Sequence, residues 1–349
     1  MSPMNWLNWM KRWVIVFFLL LAACAKDTGK VTLIIYSPHG KELLGESKKR
    51  FEVQYPNIDM RWLDMGSQDA LDRVRSEHGN PQADIWWGAP STMFSQAEKE
   101  GLLDPYKPTW ADKVDPDARS KSDAWYGTFQ TPEVIAFNSQ ALTKETAPQD
   151  WDDLLNPKWK GKIIIRDPLA SGTMRAIFSA AILRAMGSGS DPNPGYEWLK
   201  KLSINTKEYT SDQTLMMQKL GRQDALITLW NMPDIELQKL QYHFPLDYVI
   251  PKSGTPVLTD AIAIVKGTKH RKEAEAFYEF VNTEDSLVLS AQQFYRIPAR
   301  SDIPKDKLPE WMRNLKIPKM PMNWDLIEKS SQEWMEHWDN YIRGSSASS

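Results

Sequence analysis

Short apolar runs alternate with helical patterns along most of the chain, and this alternation restricts the possible folds more than any other feature. Apolar runs lie at residues 31–36, 58–63 and 83–87, and the stretches between them repeat apolar residues at helical spacing. Strands that alternate with helices predict an α/β fold with mostly parallel strands.

The same alternation resumes in the second half of the chain. It predicts strands at residues 162–165, 225–230, 247–250 and 258–265, and helices at residues 171–186, 212–220, 271–281 and 284–293. A chain of 349 residues is long enough for two domains or lobes, since a domain usually takes roughly 100–200 residues.

The charge balance and the apolar content each exclude one class of protein. The chain carries 43 Lys and Arg against 45 Asp and Glu, a net charge of -2, and 42% of its residues are apolar. It therefore lacks the basic excess that drives non-specific binding to nucleic acid, and it is too apolar to be largely disordered.

The N-terminus is predicted to be a targeting segment. Lys11 and Arg12 precede an apolar run at residues 14–23, which is shorter than the roughly 20 residues that cross a bilayer as a helix. The run ends Leu21-Ala22-Ala23-Cys24, and this resembles the lipobox of bacterial lipoproteins. We therefore expect a signal peptide at residues 1–23, lipidation of Cys24, a tether at residues 24–30, and an exported protein anchored to a membrane.

The loops after the first three predicted strands are candidate ligand contacts, because open α/β sheets bind ligands at the carboxyl ends of their strands. Glycine lets a backbone approach a ligand, serine binds anionic oxygens, and tryptophan forms an apolar wall. The candidates are Ser37, His39 and Gly40 after the first strand, Gly66 and Ser67 after the second, and Trp86, Trp87 and Gly88 at the third.

The segment Ser171-Gly172-Thr173 is a candidate anion site. It lies between the predicted strand that ends near Ile165 and a helix with a strong apolar face. Free N–H groups at a helix N-terminus suit a phosphate or carboxylate. The alternative is that Ser171 only caps its own helix.

Catalytic motifs are absent from the sequence. It contains no Gly-x-Ser-x-Gly, no His-Glu-x-x-His and no phosphate-binding glycine loop, and its five histidines lack metal-ligand spacing. We expect no enzyme activity, no cofactor and no metal site. Near the C-terminus, an aromatic stripe at helical spacing, formed by Trp324, Ile327, Trp334, Trp338 and Ile342, indicates core packing.

Four segments together resemble the extracellular solute-binding proteins of bacterial ABC importers, in the group that binds ferric ion, polyamines and sugar phosphates. They are residues 35–40, 83–88, 151–162 and 167–173. The resemblance implies the two-lobed type II fold of periplasmic binding proteins. It also implies one lobe of residues 31–130 and 258–349, a second of residues 131–257, and a hinge near residues 130–133 and 257–260.

The resemblance also bears on the ligand. The ferric-binding branch uses a His in the first loop, a Glu in the second and a late Tyr pair; His39 matches, but the second loop has no Glu and the late strand ends Trp230-Asn231. A hard ferric ion needs anionic oxygen ligands, so iron is disfavoured. Trp230 and Asn231 join the candidate contacts.

We therefore expect a binding lipoprotein that delivers a small organic anion to an inner-membrane permease. A phosphoglycerate, a sugar phosphate or a phosphonate is favoured, and the protein is expected to be a monomer in the periplasm or at the cell surface. The alternatives are a ferric-ion or polyamine binder of the same fold, a sensory lipoprotein that signals to a membrane kinase, and an enzyme on this fold.

Overall fold

The computed structural model describes residues 29–343, so the predicted signal peptide and Cys24 lie outside the described residues. The strands are β1 (Val31–Ser37), β2 (Ile58–Asp64), β3 (Ile85–Pro90), β4 (Leu103–Asp104), β5 (Tyr126–Asn138), β6 (Ile163–Arg166), β7 (Thr206–Thr210), β8 (Ile227–Asn231), β9 (Leu246–Val249), β10 (Val257–Val265) and β11 (Ile297–Pro298).

The α-helices lie between these strands and after them. They are α1 (Lys41–Gln54), α2 (Ser67–Ser76), α3 (Ser91–Lys99), α4 (Gly172–Met186), α5 (Asn193–Asn205), α6 (Gln213–Gly221), α7 (Met232–Leu240), α8 (Arg271–Val281), α9 (Glu284–Phe294), α10 (Glu310–Arg313) and α11 (Trp324–Tyr341). Short 3₁₀ turns lie at Ala111–Lys113, Pro116–Ala118, Trp151–Leu155, Pro157–Trp159 and Lys305–Lys307. No helix among residues 29–343 is long and apolar enough to cross a membrane.

The strands are joined in the order β2-β1-β3-β10-β5-β8-β6-β7. β1 runs parallel to β2 and β3, and β6 runs parallel to β7 and β8, as the alternation of strands and helices predicts. The two long strands in the middle, β10 and β5, pair in antiparallel fashion with each other and with the parallel groups. The α/β prediction is therefore confirmed, with an antiparallel junction at the centre.

The strand β5 joins two sides of the molecule. Residues 126–132 pair with β10, while residues 133–138 pair with β8 and β9. We call the part built on β1, β2, β3 and β10 side 1, and the part built on β6 to β9 side 2. Each side has its own apolar core, around Phe51 and Trp86 in side 1 and around Ile164 and Phe178 in side 2.

The C-terminal helix α11 does not follow the sequence-based boundaries. Residues 258–349 were expected to join side 1, but the predicted stripe of α11 packs into the core of side 2. Trp338 is fully buried, with its ring 4.8 Å from that of Tyr209 and 5.6 Å from that of Phe178. Glu328 on the same helix pairs with Lys99 of side 1 at 2.5 Å. The helix therefore contacts both sides, while its role in packing is the predicted one.

Candidate functional site

A cleft of about 640 Å³ lies between the two sides. Side 1 contributes the loops after β1, β2 and β3, and side 2 contributes the segments that follow β6, β7 and β8. The predicted residues His39, Gly40, Gly66, Ser67, Ser171, Thr173, Trp230 and Asn231 line this cleft, whereas Ser37, Trp86, Trp87, Gly88 and Gly172 do not.

Several helices begin at this cleft. The N-terminal residues of α1, α2, α4, α6 and α7 or their caps all line it. The caps of α1 and α2 are Gly40 and Gly66, and neither makes a side-chain capping bond. The first N–H groups of these helices have no acceptor within the helix, so the cleft has several donors that favour an anion.

The Ser171-Gly172-Thr173 segment divides into three roles. Ser171 caps α4, because its Oγ accepts a hydrogen bond from the N–H of Met174 at 3.2 Å. Thr173 lines the cleft. A Cβ on Gly172 would lie 3.1 Å from Met93 and from Pro90, so this glycine permits close packing between the sides. The capping role of Ser171 is therefore confirmed, and its role as an anion contact stays a prediction for a residue that lines the cleft.

Arg166 is a cleft residue that the sequence reasoning missed. It ends β6, and its guanidinium carbon lies 5.7 Å from the centre of the Trp230 ring. Its Nη2 would lie 3.4 Å from a Cβ on Gly66, so it reaches side 1. Within residues 29–343, Arg166 forms no ion pair within 4.0 Å, and its buried Nε has no hydrogen-bond partner. Its guanidinium therefore has no direct ion pair beside the helix N-termini, and the carboxylates of Asp212, Asp69, Asp234 and Asp167 act on it only from farther away.

A buried ion pair also lines the cleft. Arg296 Nη2 lies 2.9 Å from Asp234 Oδ1. Asp234 Oδ2 accepts hydrogen bonds from Trp230 Nε1 at 2.9 Å, Asn231 Nδ2 at 2.9 Å and Gln213 Nε2 at 3.1 Å. Burial alone would raise the pKa of Asp234, but the charge of Arg296 and these donors hold it below its usual value. The indole N–H of Trp230 and the side-chain amide of Asn231 therefore both donate to Asp234.

Asp260 is the third charged group in this part of the cleft. It lies on β10 opposite Phe129 of β5. Burial raises the pKa of Asp260 to about 7, against the opposing charge of Arg296. Its carboxyl group can therefore exchange a proton near neutral pH.

His39 lines the cleft as a neutral ring. Burial lowers its pKa well below the usual value, and the charge of Arg296 adds to this effect. Its ring stands edge-on to Trp87 at 4.9 Å and to Phe129 at 5.5 Å. Ser37 is buried and holds this loop, because its Oγ accepts a hydrogen bond from the N–H of His39 at 3.2 Å.

Trp86 and Trp87 do not form the predicted aromatic walls. Adjacent residues of a strand point to opposite faces, and in this sheet both faces are covered. Trp86 therefore stacks on Phe94 at 4.0 Å, while Trp87 packs against Phe277 at 5.6 Å. Both rings belong to the cores of side 1 and are 1% exposed or less.

Gly88 makes room for His39 instead of touching a ligand. Its φ is +95°, and a Cβ there would lie 2.8 Å from His39 Nε2 and 2.9 Å from Pro38 Cδ. We expect Gly88→Ala to destabilise the protein by more than about 1 kcal/mol and to displace the loop that carries His39. Chemical denaturation measures the loss. Gly45→Ala is the control, since nothing lies within 4 Å of its Cβ, and it should be neutral or stabilising. Equal stability of both variants would contradict this account of Gly88.

The cleft offers no evident metal site. No group of three or more His, Cys, Asp or Glu residues in the described part of the chain could hold a metal ion. Hard metal ions such as ferric iron need several anionic oxygen ligands. The carboxylates that line the cleft are not grouped as such an ion requires.

Comparison with known proteins gives one family. The family model described as "Bacterial extracellular solute-binding protein" matches residues 80–328. The probable ABC transporter periplasmic-binding protein y4fP of Sinorhizobium fredii is 26% identical over 318 residues, which cover 89% of this chain and 87% of that protein. Iron uptake protein A1 of Synechocystis is 24% identical over 263 residues, which cover 72% of this chain and 71% of that protein.

A solved structure shares the fold. The periplasmic binding protein AfuA from Actinobacillus pleuropneumoniae, solved with exogenous fructose-6-phosphate bound, superimposes with a TM-score of 0.80 at 23% sequence identity. The match covers 90% of this chain and 99% of that chain.

Proposed function

The chain belongs to the bacterial extracellular solute-binding proteins, and from this we propose that its solute is a small organic anion with a phosphoryl or phosphonyl group. Proteins of this family are the solute-binding components of ABC importers and not enzymes, so a membrane permease receives the solute. The fold is the two-lobed type II fold of periplasmic binding proteins. Anchoring through a lipidated Cys24 and a monomeric state belong to the same proposal.

The unpaired Arg166 is the observation that carries the choice of an anion. Its guanidinium faces the cleft without a carboxylate partner among the described residues, and Ser171, Thr173, Gly66 and Ser67 line the same cleft. A guanidinium binds phosphate through two parallel hydrogen bonds, and helix N-terminal N–H groups add further donors. A phosphoryl group would satisfy this cation and these donors together.

The rest of the solute would contact Asp260 and the Arg296–Asp234 pair. A carboxyl group hydrogen-bonds to hydroxyl groups in either protonation state. This supports a solute with hydroxyl groups away from its phosphoryl group, as in a sugar phosphate. That a protein of the same fold was solved with fructose-6-phosphate agrees with this choice, although the likeness itself concerns the fold alone.

The two sides would close over the solute about the two strands that cross between them. The proposed hinge comprises residues 130–133 and 257–260, where Pro132 pairs with Val257. Contacts across the cleft support a closed form: the Tyr242 hydroxyl of side 2 donates to Glu42 of side 1. Bilobed binding proteins bury their ligand by this type of domain closure.

A polyamine is the second candidate, because five carboxylates line the cleft against three cations. The carboxylates are those of Glu42, Asp64, Asp212, Asp234 and Asp260, and the cations are those of Lys41, Arg166 and Arg296. Most of these carboxylates are already engaged, however. Asp234 pairs with Arg296, Asp212 caps α6 through the N–H of Leu215 at 2.7 Å, and Glu42 accepts from Tyr242. The anion therefore remains favoured.

A thermal-shift screen of the soluble domain without its N-terminal segment tests the solute class. The panel contains sugar phosphates, phosphoglycerates, phosphonates, polyamines and ferric citrate. A solute at 100 times its dissociation constant stabilises the protein by about 2.7 kcal/mol, which is a measurable shift. We expect shifts confined to phosphorylated or phosphonylated compounds, whereas a shift with polyamines or iron alone would refute the proposal.

Thr173 provides a test of the candidate anion site at the start of α4. Thr173→Val keeps the shape of the side chain and removes its hydroxyl group. We expect the dissociation constant of a phosphorylated solute to rise roughly tenfold, since a hydrogen bond to a charged group contributes about 1.5 kcal/mol. Thr92→Val is the matched control, because Thr92 is likewise the second residue of a helix, α3, but does not line the cleft. An unchanged affinity of Thr173→Val would show that the Thr173 hydroxyl group does not bind the anion.

A further inference from the structure

Three carboxylates lie where the chain crosses between the two sides, near enough for their charges to act on one another. Glu133 lies on β5 at the crossing, Asp260 lies on β10, and Asp234 lies in the first turn of α7. Arg296, just before β11, is the cation that faces them. His39, from the loop after β1, is neutral and faces Arg296 and Asp234.

Glu133 is buried without any partner for its carboxyl group. It is 0% exposed, and neither of its carboxyl oxygens has a hydrogen-bond partner among the described residues. Only its backbone is bonded: its N–H donates to Pro256 O at 3.0 Å, and its C=O accepts from Thr255 Oγ1. Burial therefore raises the pKa of Glu133 well above its usual range, and the charges of Asp260 and Asp234 raise it further. Burial without a donor or a cation therefore favours the protonated, neutral form of this carboxyl group.

Arg296 cannot neutralise the other two carboxylates equally. It forms its ion pair with Asp234 at 2.9 Å, and it has no such contact with Asp260. Asp260 lines the cleft, so it lies where the negative charge of a bound solute would be felt. A like charge nearby disfavours an ionised carboxylate.

We propose that Asp260 is a proton switch of the solute cleft: it takes up a proton when an anionic solute enters, while the buried Glu133 of β5 stays protonated throughout. This inference rests on the proposed function, because the negative charge of the solute draws the proton. Binding that takes up a proton weakens as the pH rises. The solute is therefore held more tightly in acidic than in alkaline medium, and a solute with an ammonium group in place of hydroxyl groups would not show this.

The proton on Glu133 is tested without any ligand. Its pKa in the folded state lies above the unfolded value of about 4.3, so its contribution to stability is complete below that pH and is lost as the pH rises toward the folded value. Glu133→Gln mimics the protonated side chain and escapes this loss. We expect its melting temperature, relative to wild type, to increase steadily from pH 5 to pH 8.5. Exposed Glu145→Gln is the control and should show no such trend. A pH-independent difference in melting temperature between Glu133→Gln and wild type would overturn the inference. If Glu133→Gln does not fold, Asp260→Asn gives a second reading, because its melting temperature relative to wild type is expected to rise above pH 4.

The switch itself is tested by calorimetric titration with fructose-6-phosphate at pH 7, 8 and 9, in two buffers that differ in ionisation enthalpy. A phosphate monoester with a second pKa of about 6 is a dianion from pH 8, so any proton then comes to the protein. We expect wild type and Glu133→Gln to take up a fraction of a proton per solute and to lose affinity with rising pH, up to roughly tenfold per pH unit. Asp260→Asn should do neither. Binding without proton uptake in wild type overturns the switch, and so does uptake that persists in Asp260→Asn. If no phosphorylated compound binds, the proposed function fails, while the ligand-free comparison still decides on Glu133.

Discussion

Replacing Arg166 by alanine is expected to abolish most of the affinity for a phosphorylated solute. The variant loses a charged pair of hydrogen bonds that we estimate at about 3 kcal/mol, which corresponds to a rise of roughly 150-fold in the dissociation constant. Arg166→Lys should recover only part of this affinity, because a lysine keeps the charge but cannot form two parallel bonds. Calorimetric titration measures both variants.

The fold should tolerate this change. Arg166 has no ion-pair partner within 4.0 Å among residues 29–343, so its removal breaks no direct ion pair, and buried Asp234 keeps its own pair with Arg296. Arg175→Ala is the matched control: Arg175 also has a buried Nε without a partner, but it lines a separate groove between α2, α3 and α11. Full affinity in Arg166→Ala, or an equal loss in Arg175→Ala, would contradict the role of Arg166.

Replacing Trp338 by alanine is expected to destabilise the protein by about 3–5 kcal/mol. The ring is fully buried between Phe178 and Tyr209, in a core that α11 shares with side 2. Its removal leaves a large cavity at the point where the helix is attached. Equilibrium denaturation measures the loss.

Tyr341 on the same helix provides the control. Its side chain is 71% exposed, so Tyr341→Ala should change stability by no more than about 0.5 kcal/mol. If both variants lost the same stability, the C-terminal helix would contribute through its helicity and not through the packing of Trp338.

Patterns of sequence predicted the elements well where local rules decide. Helix α4 begins one residue after Ser171, which caps it, and it ends at Met186 before Gly187, as the apolar face and the glycine indicate. The stripe at Ile327, Trp334 and Trp338 packs into a core. In these cases, the period of the apolar residues and the capping residues carry the information themselves.

The ion pair and the charge interactions of the cleft could not be predicted from local sequence patterns. Arg296 forms an ion pair with Asp234, which lies 62 residues earlier in the chain, and the charge of Asp260 acts on Glu133 although the two residues lie on different strands. Nothing local marks such contacts. Arg166 could have been predicted as a cleft residue, because it directly follows the apolar run 163–165 at the end of a strand, which is where ligands are bound.

The aromatic pair Trp86 and Trp87 shows a different limit. Their position at a strand end suggested a ligand wall, but the sheet is covered on both faces, and both rings are buried in cores. An aromatic residue beside a binding loop belongs to the ligand site only if its face of the sheet is open. That condition depends on how the helices pack and not on the strand itself.

The central claim is that the cleft recognises the phosphoryl or phosphonyl group of its solute. The most direct measurement is a calorimetric titration with the best compound of the thermal-shift screen and with its dephosphorylated parent, for example fructose-6-phosphate and fructose. We predict binding of the phosphorylated compound and no detectable binding of the parent. Equal affinity for both compounds, or binding of spermidine or ferric citrate in their place, would contradict the claim.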